Sequence, residues 1–581
     1  MRKRVIPNVD PIDVPSGCAV DSRGYVYMNA DNTTARSRSD NHVYSTHKKI
    51  PIGRIIDPSN RADRRFYPNR TYLAILNPDS LPEPPAQSDS LSVGFYAAIQ
   101  YLAVKSELAG MLGEVFGSEN ARLVLDLASF MISEESAVFQ HYPKWAREHV
   151  IFSGSVRSDS FISEFINEDL SISKINQFKE MWAKAKIGTG DVYFCYDSTN
   201  VNSQAEGVAL VERGHAKDDP DLMQVNTDYV VRQGDGLPLT FMQFPGSIVD
   251  ISQASEMIAF IKGIDEKNEH GITAVCDRGY ISEENIRDFD DKHVNFLLLM
   301  KSSFSIHEDL LDKYAKKTKG ISNYMEDTDE YGMTVVRKLF GINRYFHLIW
   351  NSTLEFKHRK GLTGKITRLK KDLESSVNRK KRYTDDEIRK YDLFDLTLKE
   401  SGTLKVKARG RGKKNQTAEV KAYVITGYEL NEKRADRELS HCGYYILMTS
   451  KEMTAEESRT AYAKRDIVEK TFQSLKSHMG MEKYGVTTEE RMHGKALIWF
   501  VASILHSLLF SKTEKLRAVN KKDFTTPAMI DSLEAIKADR NITTGKYSRR
   551  YKLTKQQKAI LKELGISERA IDETISGLTM L

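Results

Sequence analysis

Three acidic residues in this sequence are the strongest candidates for chemistry. Asp197 follows the apolar run Val192–Tyr196, Asp277 follows a second apolar run, Ile272–Cys276, and Glu469 lies in a stretch with helical periodicity. Three carboxylates that converge on one site repel one another unless a cation lies between them. Oxygen ligands of this kind favour Mg²⁺, and two such ions can activate an attacking hydroxyl and stabilise the leaving oxygen in phosphoryl transfer.

Glu469 also belongs to a set of four side chains on one long helix that we expect to begin after Thr454. The four are Tyr462, Arg465, Glu469 and Lys476. At ~100° per residue they fall within an arc of about 60°, so they would project from one face. Arg465 and Lys476 could hold a phosphate backbone, and Tyr462 could stack or hydrogen-bond on the same strand. Taken alone, the set is equally explained by a surface salt-bridge ladder.

Buried strands of one sheet would position the two aspartates. Both apolar runs are short and contain β-branched or aromatic residues, which is typical of strands buried on both faces. The turn Gln233–Gly236 between two further runs predicts a β-hairpin, and helices alternate with strands after it. This order favours a mixed α/β layer protein. Ligand sites collect beyond the carboxyl ends of strands, although each aspartate could instead cap the next turn.

Positive charge is concentrated in two zones of the chain. The net charge is +6, but residues 357–421 hold 21 Lys and Arg against 9 Asp and Glu. The first 70 residues hold 13 Lys and Arg against 7 Asp and Glu. Dense cationic stretches favour a polyphosphate partner through counterion release, whereas a solvated charged surface is the alternative for each zone.

The composition argues against several classes of protein. Hydrophobic residues make up 40% and charged residues 29%, the balance of a globular protein. The four cysteines are far apart and form no C-x-x-C pair, which argues against a disulfide scaffold or a cysteine-rich zinc site. The most apolar run, Ala496–Phe510, is too short and too polar to span a bilayer. The basic start lacks the apolar stretch of a signal peptide, so we expect a soluble protein of a reducing compartment.

The sequence resembles the DDE transposases of bacterial insertion sequences, in the insertion-sequence-4-like superfamily marked by a Y-(2)-R-(3)-E-(6)-K signature. The set Tyr462, Arg465, Glu469 and Lys476 matches that signature without a gap. The segment around Asp197 and the run Asp277-Arg278-Gly279 resemble the first and second aspartate regions of the family. The resemblance covers roughly residues 186–515.

This resemblance implies a ribonuclease-H-like fold with Asp197, Asp277 and Glu469 as the catalytic and metal-binding triad. The implied cofactor is Mg²⁺, as two ions, with Mn²⁺ able to substitute. Tyr462, Arg465 and Lys476 are implied to contact transposon-end DNA. The implied activity is cut-and-paste transposition, in which metal-dependent cleavage at the ends of the element is followed by strand transfer into target DNA.

The implied partners are double-stranded DNA, as inverted-repeat ends and as target, and a second copy of the chain, because two ends must be held together. No membrane partner is expected, and the implied location is the bacterial cytoplasm at the nucleoid. Two other functions remain open. A purely hydrolytic ribonuclease-H-like nuclease would yield nicks instead of joined strands, and a non-catalytic DNA-binding protein derived from a transposase would have little reason to keep all three acids.

The expected fold class is α/β, with a mixed sheet flanked by helices and interrupted by a basic, mainly-β insertion domain. Residues 1–90 would form a basic DNA-binding region and 91–185 a helical region. The catalytic core would occupy 186–304 and 444–520, with the insertion at 305–443 between its parts. Residues 521–581 would form a C-terminal helical region.

Other residues have a structural and a functional interpretation. Cys195 and Cys276 precede the two aspartates, but strand cysteines are usually packing residues. Trp350, at the edge of the basic segment, could stack on a displaced base or pack in the protein. His215 could contact DNA or be structural.

Overall fold

The computed structural model describes residues 11–36, 43–60, 62–69, 71–72, 88–188, 192–214, 222–248, 250–265, 271–407, 417–541 and 544–578. The chain forms two compact units, residues 1–87 and 88–581. The segment Pro82–Pro85, His215 and the middle of the basic run 405–414 lie outside the described residues.

The N-terminal unit is built on an antiparallel sheet, which has five strands within its described residues, in the order β1-β5-β4-β3-β2. The strands are β1 (Ile12–Asp13), β2 (Ala19–Val20), β3 (Tyr25–Arg36), β4 (Val43–Ile55) and β5 (Arg65–Pro68). Val26, Ile52 and Phe66 are fully buried and form its small core.

The larger unit begins with a short strand and a group of helices. These are β6 (Ser90–Ser92), α1 (Gly94–Lys105), α2 (Leu108–Phe116), α3 (Ser118–Ser133), α4 (Tyr142–Glu148), α5 (Asp159–Glu168) and α6 (Ile172–Lys186). The periodicity over residues 94–116 predicts one helix, but the structure has two. Glu107 has a left-handed φ of 64°, which breaks the helical path between α1 and α2.

The next segment alternates strands and helices. It contains β7 (Tyr193–Asn202), β8 (Glu212–Arg213), β9 (Met223–Arg232), β10 (Pro238–Pro245), α7 (Asp250–Ile264), β11 (Thr273–Cys276), α8 (Glu283–Asp291), β12 (Asn295–Leu299), α9 (Ser305–Thr318), β13 (Tyr324–Met325), β14 (Glu330–Leu339) and β15 (Ile342–Trp350). The hairpin expected around Gln233–Gly236 is present as β9 and β10.

After β15 the chain makes an excursion over residues 351–443. It contains α10 (Ser352–Arg379), β16 (Arg382–Tyr383), α11 (Asp385–Ile388), β17 (Phe394–Lys407), β18 (Thr417–Leu430) and α12 (Glu432–Ser440). The three strands pair in the order β16-β18-β17. A separate small core of Leu373, Tyr383 and Tyr391 holds this excursion together.

The chain returns as a strand of the central sheet and ends in helices. These elements are β19 (Tyr444–Thr449), α13 (Ala455–Ala463), α14 (Asp466–Met479), α15 (Glu489–Lys512), α16 (Glu514–Val519), α17 (Thr526–Glu534), β20 (Lys537–Arg540), β21 (Tyr547–Arg549), α18 (Lys555–Leu564) and α19 (Glu568–Ser576). The tail was expected to be helical, but β20 and β21 form a small sheet with β6. Their short charged sequences carry no strand periodicity.

The central sheet contains ten strands of the described residues, in the order β10-β9-β7-β11-β12-β19-β15-β14-β13, with β8 beside β9. Strands β7, β11 and β12 are parallel to one another, and the other neighbours are antiparallel. The fold is therefore a mixed α/β layer with many helices. Strands β14 and β15 belong to this sheet, although their sequence lies within the expected insertion at 305–443. Their apolar residues explain this, since Phe346 and Leu348 are buried in the main core.

The sheet separates two apolar cores. Phe194 and Cys276 point into the core beneath α7, α8 and α9, whereas Cys195 and Val275 point into the core beneath α14 and α15. This alternation buries β7 and β11 on both faces, as the sequence predicts. Helix α15 is long and apolar enough to cross a membrane, but 78% of its most apolar window is buried inside the protein.

Candidate active site

Asp197 and Asp277 lie side by side on neighbouring parallel strands. Cys276 of β11 pairs with Tyr196 of β7, so the aspartate that follows each residue occupies the next position in the same register. Adjacent strands lie about 4.8 Å apart, so the two side chains start from neighbouring points of the sheet. The expected proximity of the two aspartates is therefore met by the sheet register.

The two strands end differently from the sequence expectation. Strand β11 does end before Asp277, and this side chain caps the following turn by accepting a hydrogen bond from the Arg278 amide at 2.7 Å. Strand β7 instead continues through Asp197, because β9 goes on pairing with it and sets Asp197 opposite Tyr229. Asp197 accepts a hydrogen bond from the Ser198 amide at 2.9 Å.

The four signature residues do not lie on one continuous helix, which corrects the sequence prediction. Thr454 begins α13 with a capping box to Glu457, but α13 ends at Ala463 and α14 begins at Asp466. The Ala461 carbonyl, which the Arg465 amide would bind in a continuous helix, accepts a hydrogen bond from the Gln233 side chain at 2.6 Å. The Arg465 amide bonds to the Tyr462 carbonyl instead, so the helix tightens and breaks there.

The break brings two signature residues onto the aspartates. The Tyr462 hydroxyl donates to Asp277 Oδ1 at 3.3 Å. The Arg465 guanidinium donates to Asp197 Oδ2 at 3.3 Å and to Glu469 Oε1 at 2.5 Å. Arg465 therefore lies between two of the three acids, and the helix pair is tied to both strands.

Burial and charge tune the cation and the phenol of this group. Burial acts to lower the pKa of the Arg465 guanidinium, but Tyr462 and the three carboxylates outweigh it, so the pKa lies above its usual range. Burial raises the pKa of the Tyr462 phenol, and the nearby charge of Asp277 raises it further. At neutral pH the pair is a cation and a neutral hydrogen-bond donor.

All three acids line one cavity of about 630 Å³, together with Lys476 and Gln473. Polar side chains of β7 and β9 form another part of its wall, Asn200 and Asn226 among them. The cavity thus joins carboxylates, a lysine and amide groups, a surface suited to a phosphodiester and its counterions.

The donor set fits a divalent cation in its chemistry, but the acids are not gathered around one point. Among the residues described, no group of three or more His, Cys, Asp or Glu side chains is arranged to hold a metal ion. The position of Arg465 accounts for this, because its guanidinium bridges Asp197 and Glu469. Asp197 and Asp277, adjacent on the sheet, remain the pair of oxygen donors that a cation would bridge.

A second cavity, of about 360 Å³, adjoins the first and was not expected from the sequence. Tyr462, Arg465 and Glu469 line it, with Glu330 and Arg459 deeper in its wall. The Glu330 side chain is 3% exposed and binds Arg459 Nε at 2.5 Å. An acidic residue at the start of an apolar strand, and an arginine one turn before Tyr462, were the only signals in the sequence.

The remaining candidates behave as follows. Cys195 and Cys276 are fully buried in the cores, and burial raises the pKa of the Cys195 thiol to about 12. Trp350 is half-buried, with Tyr331 edge-on at 5.5 Å and the Lys319 ammonium 4.3 Å from its ring. These contacts are packing contacts, and stacking of Trp350 on a base stays a prediction.

Comparison with known proteins follows from this geometry. Among solved structures, a piggyBac transposase synaptic complex with hairpin DNA aligns over 84% of this chain and 82% of that chain, with 7% identity and a TM-score of 0.34. A likeness at this level carries no argument. No curated protein matches the sequence. A family model described as "Transposase DDE domain" matches residues 189–505. Because this match spans more than half of the chain, the protein belongs to the transposase DDE domain family and is a DNA transposase.

Proposed function

We propose that this transposase moves its element by a cut-and-paste pathway, in which it cleaves the element's ends and joins them to target DNA. One observation carries the proposal: acids from β7, β11 and α14 line a single cavity, and Arg465 and Tyr462 tie them together. The order β10-β9-β7-β11-β12, with its parallel centre, supports a ribonuclease-H-like core. The unbroken spacing of the four signature residues supports the insertion-sequence-4-like superfamily.

In this proposal Asp197, Asp277 and Glu469 are the catalytic residues and would hold two Mg²⁺ ions, for which Mn²⁺ can substitute. Such ions would supply activation of the attacking oxygen and stabilisation of the leaving oxygen. The three acids carry the negative charge that this role needs, on elements fixed by the sheet and by the helix break.

The cationic and phenolic residues of the site would bind the DNA strand. A phosphate entering the cavity meets Arg465, whose planar fork suits two phosphate oxygens, and Lys476 as a second positive charge. Arg465 would then exchange a carboxylate partner for the phosphate. Tyr462 holds Asp277 by its hydroxyl and presents its ring edge to the same space.

The decisive experiment incubates the protein with labelled end DNA and Mg²⁺ and follows the products on a denaturing gel. We expect Asp197→Asn, Asp277→Asn and Glu469→Gln to abolish cleavage while binding to end DNA survives. Glu283→Gln is a matched control, because that acid pairs with Arg287 on the exposed face of α8. Full excision by any of the three site variants would remove the mechanism.

The same gel separates the two rival functions. Nicks without joined strands would favour a hydrolytic nuclease of the same fold. A non-catalytic DNA-binding protein would give neither product, and Mg²⁺ would leave its melting temperature unchanged. Two ends held by two copies of the chain would migrate as one complex in a native gel, which tests the proposed homodimer.

A further inference from the structure

The long helix α10 protrudes from the body of the protein. Its buried side chains are Leu369, Leu373 and Ser376, all in its second half. Residues 356–361, in the first half, are exposed on every side. A helix segment that packs on nothing in its own fold is solvated or is covered by a partner.

One face of α10 carries a cationic stripe, which we define as Lys357, Lys360, Gly364, Arg368 and Lys371. At ~100° per residue these positions fall within an arc of about 80°. Within the described part of the chain, the four cations of the stripe form no ion pair. Arg359 and Lys365, elsewhere on the same helix, pair with Glu355 at 2.7 Å and Asp392 at 3.4 Å. The stripe therefore presents charge that the protein itself does not neutralise.

The middle of the stripe is a notch where the backbone is uncovered. A Cβ atom added at Gly364 would meet nothing within 4 Å, so no neighbour in the fold requires glycine there. Glycine weakens an exposed helix relative to alanine. The stripe and two threonines line an open groove of about 600 Å³ at this point, Lys360, Thr363, Gly364, Thr367, Arg368 and Lys371. A partner that approaches the helix backbone closely would explain the glycine.

The stripe starts beside the candidate active site. Asn351 and Leu354, at the beginning of α10, line the same cavity as Arg465 and Glu469. At 1.5 Å per residue, Lys371 lies about 26 Å along the helix from Leu354. This length corresponds to about eight base-pair steps of 3.4 Å. The helix thus begins at the site and leads away from it over a distance that a duplex arm would share.

We propose that the cationic stripe of α10 binds the phosphates of the DNA duplex whose scissile bond lies in the candidate active site, along the arm that leaves the cavity. The inference rests on the proposed function for the location of that duplex. Charge complementarity selects the partner, because four unpaired cations on one line match a row of phosphates and release their counterions. The notch at Gly364 lets the sugar-phosphate backbone approach the helix.

The test compares two triple variants of the full-length protein with end DNA that extends at least ten base pairs beyond the cleavage position. The stripe variant is Lys360→Gln, Arg368→Gln and Lys371→Gln, and the matched control is Arg359→Gln, Lys365→Gln and Lys370→Gln. Each removes two lysines and one arginine from the same helix. We expect the stripe variant to bind at least tenfold more weakly at 100 mM salt. Its log-log salt slope should fall by about 2.7, at ~0.9 per phosphate contact, while the control changes by less than a third of that.

A shortened duplex and an uncharged variant make the test specific. With only four base pairs beyond the cleavage position, wild type and stripe variant should bind alike. Gly364→Leu should weaken binding to the long arm severalfold, whereas Gly364→Ala should not, and both should fold because the space is open.

Three results would overturn the inference. Equal losses in the two triple variants would mean that only net charge matters. A loss that persists on the short arm would place the contact elsewhere. Unchanged end binding with weaker capture of a second duplex would mean that the stripe holds target DNA. Failure of the proposed function is a separate result, because it would appear as cleavage by Asp277→Asn while the stripe effects stand.

Discussion

Replacement of Arg459 by methionine should destabilise the larger unit through the acid that it leaves behind. Glu330 is 3% exposed and accepts hydrogen bonds from Arg459, from Asn351 at 2.9 Å and from Tyr445 at 3.2 Å. Loss of one partner from a buried ion pair costs about 3–5 kcal/mol, because the remaining charge is uncompensated. Arg459 is 25% exposed, so water can reach part of its place. We therefore expect Arg459→Met to cost about 3 kcal/mol.

The second substitution Glu330→Gln removes the stranded charge and leaves an oxygen that still accepts from Asn351 and Tyr445. The double variant should thus be more stable than Arg459→Met alone by at least about 1 kcal/mol, although it carries more changes. Urea unfolding followed by tryptophan fluorescence and far-ultraviolet circular dichroism measures this difference. A double variant no more stable than Arg459→Met would refute the reasoning, since it would show that the unpaired Glu330 charge is not the cause.

Three further predictions concern the site, the sheet and a helix end. Arg465→Met should increase the rise in melting temperature that Mg²⁺ produces in the DNA-free protein, because the guanidinium competes for Asp197 and Glu469, whereas Lys464→Met should not. Burial lowers the pKa of His347 from 6.5 to about 4, so its stabilising contribution is complete above pH 6.5 and is lost as the pH falls toward 4. His347→Gln should then reduce by about 2 kcal/mol the stability lost between pH 7.5 and 5, and an unchanged loss would assign it to other groups. Gly480→Ala should cost about 2 kcal/mol or more in urea unfolding, because φ is 64° and the new Cβ would lie 2.6 Å from the Ala137 amide nitrogen.

Local patterns predicted much of the central part of the fold. The apolar runs, the β9–β10 hairpin and the bounds of α8 follow from periodicity and turn residues that lie within each segment. The closeness of Asp197 and Asp277 followed from the rule that polar residues collect at the ends of parallel strands. These features depend on neighbours in sequence, which the chain itself displays.

What the sequence could not predict depends on distant partners. The break before Arg465 exists because Gln233, more than two hundred residues earlier, takes a helix carbonyl. Strand β7 runs past Asp197 because β9 pairs with it, and β14 and β15 join the main sheet because its edge accepts them. The Glu330–Arg459 pair likewise joins a strand to a helix that are far apart in the chain.

The pairing of β15 with β19 has a consequence for how this transposase can be rebuilt. Trp350 lies opposite Tyr444 in an antiparallel ladder, so the chain leaves and rejoins the sheet at two adjacent points. In topological terms, everything from residue 351 to 443 is the loop of a β-hairpin. A designer could close that gap with a tight turn, or graft a foreign domain into it, without rerouting any strand. The catalytic sheet and its DNA-handling appendage are thereby separable parts, free to be exchanged independently.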